Sequence, residues 1–176
     1  MPEAPSAGTC WRTTPPFTRF ALRVSLQEAA QALASPAAGI PLATTACRSA
    51  LRGDWVALWL GPDEQLLLGT EDGAEAFRAR LATALQGIPH SLVDISHRQV
   101  AIDLSGPHSA ALINTGCPLD LDRAAFPVGA CTRTVFARAD IVLWRRGIQE
   151  FHVETWRSFA PYVTGLLAKA EAEFLD

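Results

Sequence analysis

Lysine is nearly absent: Lys169 is the sole one among 15 basic residues. The arginines are scattered, with only Arg145 and Arg146 adjacent, so no basic stripe marks a nucleic-acid surface or a polybasic membrane patch. We read the arginine bias, with the abundant alanine, as coding composition. No CxxC occurs, and Cys10, Cys47, Cys117 and Cys131 stand far apart. His90, His97, His108 and His152 form neither HxxxH nor HExxH. No zinc site is expected from such spacing, and a cytoplasmic protein with reduced, mostly buried thiols is. No stretch reaches the roughly 18–20 apolar residues of a membrane span, and no basic-then-apolar leader opens the chain. GxGxxG and GxxxxGK[ST] are both missing, which argues against a dinucleotide or phosphate-loop site, and "SGPH" at 105–108 is too short to replace them. No GxSxG elbow supports a hydrolase.

What is present suffices for a core. The 176 residues are 49% hydrophobic and 19% charged, with a net charge of −3, as expected of one ordinary domain or two small units. Residues 1–19 are rich in Pro, Ser, Thr and Gly and read as an extended N-terminal arm. "FALRV" (20–24), "WVALWL" (55–60) and "QLLLG" (65–69) read as strands, the last two joined at the turn "GPDE". "SLQEAAQALA" (25–34), with capping-box spacing of Ser25 and Glu28, and "EAFRARLATAL" (75–85) read as helices.

The second half repeats this order. "RQVAIDL" (98–104) alternates as a strand with Val100, Ile102 and Leu104 on one face. A helix (105–114), strands at 131–137, 140–145 and 149–154, and a last helix at 158–174 follow. "LWLGPDEQLLLG" and "LWRRGIQEFHVE" align without gaps at an offset of 85, which sets Trp59 on Trp144 and Phe77 on Tyr162. "GIPL" (39–42) likewise matches "GCPL" (116–119). This order implies an α+β class: two ferredoxin-like βαββα units, about 20–90 and 91–176, packed as one body.

"DISH" (94–97) holds the residue types of a nucleophilic triad. On a strand, however, Asp94 and Ser96 share one face and His97 points to the other. The apolar phase also shifts, from odd positions at Val93 and Ile95 to even ones from Val100. A turn or bulge near 96–99 accounts for both, with Asp94, Ser96 and His97 as turn chemistry. Cys117 corresponds to Ile40 in the first repeat, an argument for packing. The carboxylate pairs Glu71/Asp72 and Asp120/Asp122 lie in turn-like surroundings. His108 falls at a helix start and reads as solvated. No catalytic, cofactor-binding or metal-ligating residue is assigned. Five tryptophans are many for this length. Most belong in a core, but Trp156, Arg157 and Phe159 in "VETWRSFAPYV", with Trp11 and Phe17 in the arm, are candidate partner contacts.

The second half then carries a resemblance. "SHRQVAIDLSGP", "GCPLDLD", "FPVGACTRTVFARADIVLWR" and "ETWRSFAPYV" closely resemble the gamma subunit of heterotetrameric sarcosine oxidase. A broader similarity runs to the folate-binding domain of the glycine-cleavage T-protein, itself built of intertwined ferredoxin-like units. The resemblance implies a T-protein-like fold and a non-catalytic, structural role beside alpha, beta and delta subunits in a cytoplasmic complex. Such a complex demethylates sarcosine oxidatively to glycine. FAD, FMN, NAD and zinc would sit in the other subunits and none in this chain. T-proteins continue into a further C-terminal barrel, whereas this chain stops at Asp176, and no T-protein folate residue matches a position here. The alternative is a free-standing folate-binding module.

Overall fold

The computed structural model describes residues 10–14, 17–33 and 39–174, with Phe174 described by its backbone alone. The start of the arm and the segment around Pro36, where the first helix was expected to stop, lie outside the described residues. By contacts the chain divides into Pro16–His97 and a second unit, in which Arg98–Asp176 joins the segment ending at Pro15. Among the described residues no helix is long and apolar enough to cross a membrane.

The first unit runs β2 (Thr18–Val24), α1 (Leu26–Leu33), β3 (Ser49–Arg52), β4 (Trp55–Gly61), β5 (Glu64–Gly69), α2 (Ala74–Ala84) and β6 (His90–Asp94), with antiparallel sheet order β3-β4-β5-β2-β6. β5 is central, and all six of its residues are buried. That explains its unbroken apolar run, since a strand covered on both faces has no polar side to show. Phe20, Leu22, Trp55, Ala57 and Leu67 form one core with Phe77, Leu81 and Leu85 of and just after α2. Trp55 stacks on Phe77 with ring centroids 3.6 Å apart. Gly69 makes room for that indole: a Cβ there would stand 2.4 Å from Trp55 Cδ2. Gly87, at φ +81°, turns the chain out of α2 in a conformation that glycine adopts without a Cβ penalty.

The second unit has β1 (Cys10–Thr13), β7 (Gln99–Ser105), α3 (Ser109–Asn114), β8 (Cys131–Phe136), β9 (Ala139–Gly147), β10 (Glu150–Trp156) and α4 (Ala160–Phe174), with sheet order β1-β7-β10-β9-β8. β1, from inside the stretch read as an arm, pairs antiparallel along β7, Trp11 opposite Leu104. The core gathers Ile102, Leu104, Leu143 and Val153 of the sheet against Leu112 and Ile113 of α3 and Val163, Leu167 and Ala170 of α4. α3 is shorter than expected, beginning after Pro107 and His108 rather than at Ser105.

The two units share one strand order, but the repeat offset differs from the one expected. Gly61 pairs with Glu64 at one hairpin and Gly147 with Glu150 at the other, an offset of 86, each beside a bulge that skips one residue. A one-residue slip exchanges the faces of a strand. At 86, the core residues Ala57, Leu67, Phe77 and Leu81 fall on Leu143, Val153, Val163 and Leu167, which are core residues as well. Trp59 and Trp144 are therefore not counterparts. Trp59 packs against the first unit's core, while Trp144 stands on the other face of its sheet from Leu143. The gapless match of letters at 85 had paired opposite faces.

Candidate functional site

The face of the second unit's sheet turned away from α3 and α4 carries the most chemically loaded cluster of the described residues. Asp103 on β7, His152 on β10 and Trp144 on β9 stand opposite one another across three strands, with Glu154 two residues along β10. Strand alternation places all four on one face. His152 Nδ1 lies 2.7 Å from Asp103 Oδ1, and Nε2 lies 2.9 Å from Glu154 Oε1. The imidazole is 3% exposed and Glu154 is fully buried. Arg146 donates to Asp103 Oδ2 at 3.1 Å from the more exposed rim. Trp144 meets the imidazole edge-on at 5.9 Å.

Both ring nitrogens face carboxylate oxygens, so with both carboxylates ionised both must donate, and the ring is an imidazolium. Burial works against that charge, but the bonds to Asp103 and Glu154 outweigh it, and the His152 pKa is raised. Burial would likewise raise Asp103, and the bond from His152 with the charges of His152 and Arg146 brings it below the usual carboxylate value. A general base needs a free lone pair within reach of a substrate. A metal needs ligands that converge, and these carboxylates flank the ring from its two ends. Among the described residues no group of three His, Cys, Asp or Glu is placed to hold a metal. The cluster's chemistry is that of a buried charged tie between β7 and β10.

The first unit omits this tie. At the corresponding register Ala21 faces Leu66, and Leu66 faces Leu58. At that register the strands pair without charged groups, their ion pair falling instead at Arg23 and Glu64, 2.8 Å apart, and the Asp-His-Glu cluster is a feature of one repeat. Sequence reading placed Asp103 correctly on the face opposite Ile102 and Leu104. It missed His152 and Glu154, because the strand pairing that brings Asp103 to His152, 49 positions further along the chain, is not legible from sequence. The polar alternation of "EFHVE" was the available signal, and burial of both faces concealed it.

DISH is a turn. β6 ends at Asp94 and the turn covers 96–98. Asp94 Oδ1 accepts from the Ser96 hydroxyl at 2.6 Å and from the Ser96 backbone N–H at 2.9 Å. Ser96 Oγ in turn accepts from the Arg19 backbone N–H at 2.9 Å, tying the turn to β2. The bond from Ser96 is the largest influence on Asp94 and lowers its pKa. His97 is exposed. One detail differs from expectation: Ile95 is buried but Val93 is half exposed, so the two do not share an inward face.

Cys117 is buried in the second unit's core, as Ile40 is in the first. Cys131 is buried too, but Cys10 and Cys47 are exposed, so half the thiols and not most of them are inside.

The candidate contact residues separate into two groups. Trp11 is half-buried against the second unit's own core. Phe17 is half-buried, with the Arg19 guanidinium 4.3 Å from its ring centroid. Trp156, Arg157 and Phe159 instead lie exposed at the corner from β10 into α4, where the Arg98 guanidinium stands 5.6 Å from the Trp156 ring. Tyr162, one turn further on, completes this set of exposed aromatics.

Comparison with known proteins agrees with this architecture. The sarcosine oxidase gamma subunit family model matches residues 25–173. Sarcosine oxidase subunit gamma of Corynebacterium sp. (strain P-1) is 35% identical over 136 residues, covering 77% of this chain and 66% of that protein. The Arthrobacter sp. subunit gamma is 34% identical over 77% of this chain and 66% of its own length. The matched stretch thus spans just under two thirds of these relatives. Among solved structures, a chain of the heterotetrameric sarcosine oxidase from Corynebacterium sp. U-96, in complex with pyrrole 2-carboxylate, superposes with a TM-score of 0.85 at 30% identity over 97% of this chain and 87% of that one. The aminomethyltransferase T of the Bartonella henselae glycine cleavage system shares the fold, with a TM-score of 0.68 at 15% identity over 92% of this chain and 45% of that one. From its family match and its relatives above 30% identity, the chain belongs to the sarcosine oxidase gamma subunit family.

Proposed function

We propose that this chain is a non-catalytic, structural gamma subunit of a heterotetrameric sarcosine oxidase. The complex oxidises the N-methyl group of sarcosine to leave glycine, reduces oxygen to hydrogen peroxide, and releases the one-carbon unit as formaldehyde or passes it to tetrahydrofolate. The alpha, beta and delta subunits hold the FAD, FMN, NAD and zinc of this reaction, in the cytoplasm. The observation that carries the reading is the match along almost the whole chain to a chain of a heterotetrameric sarcosine oxidase. The buried, doubly engaged His152 supports a structural role for the chain's most charged cluster.

Co-expression with the other three subunits, followed by purification through a tag on this chain, tests it. A flavin-coloured complex with sarcosine-dependent peroxide production should co-elute. A colourless, solitary chain would refute the assignment. The T-protein-like fold keeps a folate-binding module as the second reading. Tetrahydrofolate titrated onto the full chain should leave the emission of its five tryptophans unchanged, and a saturable change would favour that second reading instead.

A further inference from the structure

The start of β7, the turn from β8 to β9 and the corner from β10 to α4 fall at one end of the second unit's sheet, because Gln99 pairs with Trp156, Thr155 with Ile141, and Phe136 with Ala139. Four of the exposed large apolar side chains gather at this end: Val135, Trp156, Phe159 and Tyr162, at 36–46% exposure. They include every exposed aromatic among the described residues. Exposed Arg98, Arg138 and Arg157 accompany them, against Asp140 of opposite sign, on a chain whose net charge is −3. An open groove of about 320 Å³ adjoins, between the β8–β9 turn and α4, lined by Phe136, Ala137, Tyr162 and Leu166, with Lys169 and Glu173 of opposite sign in its lining. Tyr162 belongs to both the groove and the aromatic group. Aromatic residues and arginine at the centre of a patch are the usual anchors of a protein interface, and a local positive excess selects the partner by charge.

We propose that this sheet end is the surface by which the chain docks on another subunit of its complex, and that the partner face is an apolar projection rimmed by carboxylates. The projection fills the groove beside Tyr162 and covers Trp156 and Phe159, while the carboxylates meet Arg98, Arg138 and Arg157. This inference rests on the subunit reading above and names its contact face.

The test uses the full tagged chain co-expressed with the other three subunits. Trp156→Ala with Phe159→Ala, and separately Arg98→Glu with Arg157→Glu, are compared with wild type by flavin recovered per tagged chain. All four positions are exposed, and unchanged thermal unfolding of the variants shows that the fold is kept. Each pair should lower recovery tenfold or more, as loss of a hot-spot residue does, and the arginine pair should also flatten the dependence of assembly on salt. Variants that assemble like wild type overturn the surface and leave the subunit reading standing. A wild-type chain that recovers no flavin overturns both. A dimer of the isolated chain that the same substitutions dissolve assigns the face to a second copy and overturns the proposal.

Discussion

Replacing His152 by leucine removes the donor shared by the half-buried Asp103 carboxylate and the fully buried Glu154 carboxylate. In wild type His152 bonds Asp103 at 2.7 Å and Glu154 at 2.9 Å, with its ring 3% exposed. The leucine fills similar space and supplies no donor, so Glu154 is left buried beside an apolar side chain, while Asp103 keeps its bond from Arg146. Breaking a buried charged pair from one side costs about 3–5 kcal/mol. That is a large share of the 5–15 kcal/mol typical of a whole domain, and lowers Tm by roughly 6–20 °C at this chain length. Urea unfolding of the full chain, followed by tryptophan emission, measures it. The double variant Asp103→Ala with His152→Leu restores at that register the alanine and leucine of Ala21 and Leu66. It should be less destabilised than the sum of the two single variants, with a coupling of about 0.5–3 kcal/mol. The pH dependence has a defined sign. His152 is raised above its ordinary 6.5, so its contribution is complete below that pH and is lost as pH rises through the folded value. Asp103 is lowered below its ordinary 3.8, so its contribution is complete above that pH and is lost as pH falls through the folded value. The stability advantage of wild type over His152→Leu should therefore be largest between these limits and shrink on the alkaline side. A cost under 1 kcal/mol, additive single variants, or an advantage that grows above pH 8 would refute the reasoning.

Gln65→Leu should be destabilising by about 2–4 kcal/mol, because the buried Gln65 amide donates to Ala43 C=O at 2.6 Å and accepts from Ala43 N–H at 3.0 Å, and leucine leaves both groups dry. Urea unfolding gives the loss, and faster hydrogen exchange at the Ala43 amide locates it. Ser96→Ala should cost about 1–2 kcal/mol through the lost bonds to Asp94 and from Arg19 N–H. The carboxyl of Asp94 should then titrate at higher pH by NMR.

Local pattern made many of the elements legible. "WVALWL" and "QLLLG" could only bury, "EAFRARLATAL" presented Phe77, Leu81 and Leu85 on one stripe, and "GPDE" broke the chain between strands; β4, β5 and α2 followed. β1 and β3 escaped notice because each has four residues and takes its order from the neighbour it pairs with. The bulges at Leu60 and Arg146 were equally hidden, since a bulge changes register without a mark in composition. That hidden residue made an alignment at 85 look sound when the faces correspond at 86. The exposed corner at Trp156, Arg157 and Phe159 was legible, because aromatic and basic residues stand there at a helix start. The difference from Trp11 was not, for only the pairing of β1 with β7 puts that indole against a core.

The sequence by itself determined the class, most of the strands and helices, the doubled plan and the family, because these reside in periodicity, turn residues and contiguous motifs. Tertiary structure decided which side chains meet. Asp103 and His152 come together only through the register of β7 against β10, and that register depends on which face the core claims. In DISH the letters are local, and so is the outcome: Ser96 reaches Asp94 two residues away, and an apparent triad is a turn. In the charged cluster that does exist, Asp103 and His152 stand 49 positions apart in the chain, and only packing against a core could bring them within hydrogen-bond distance.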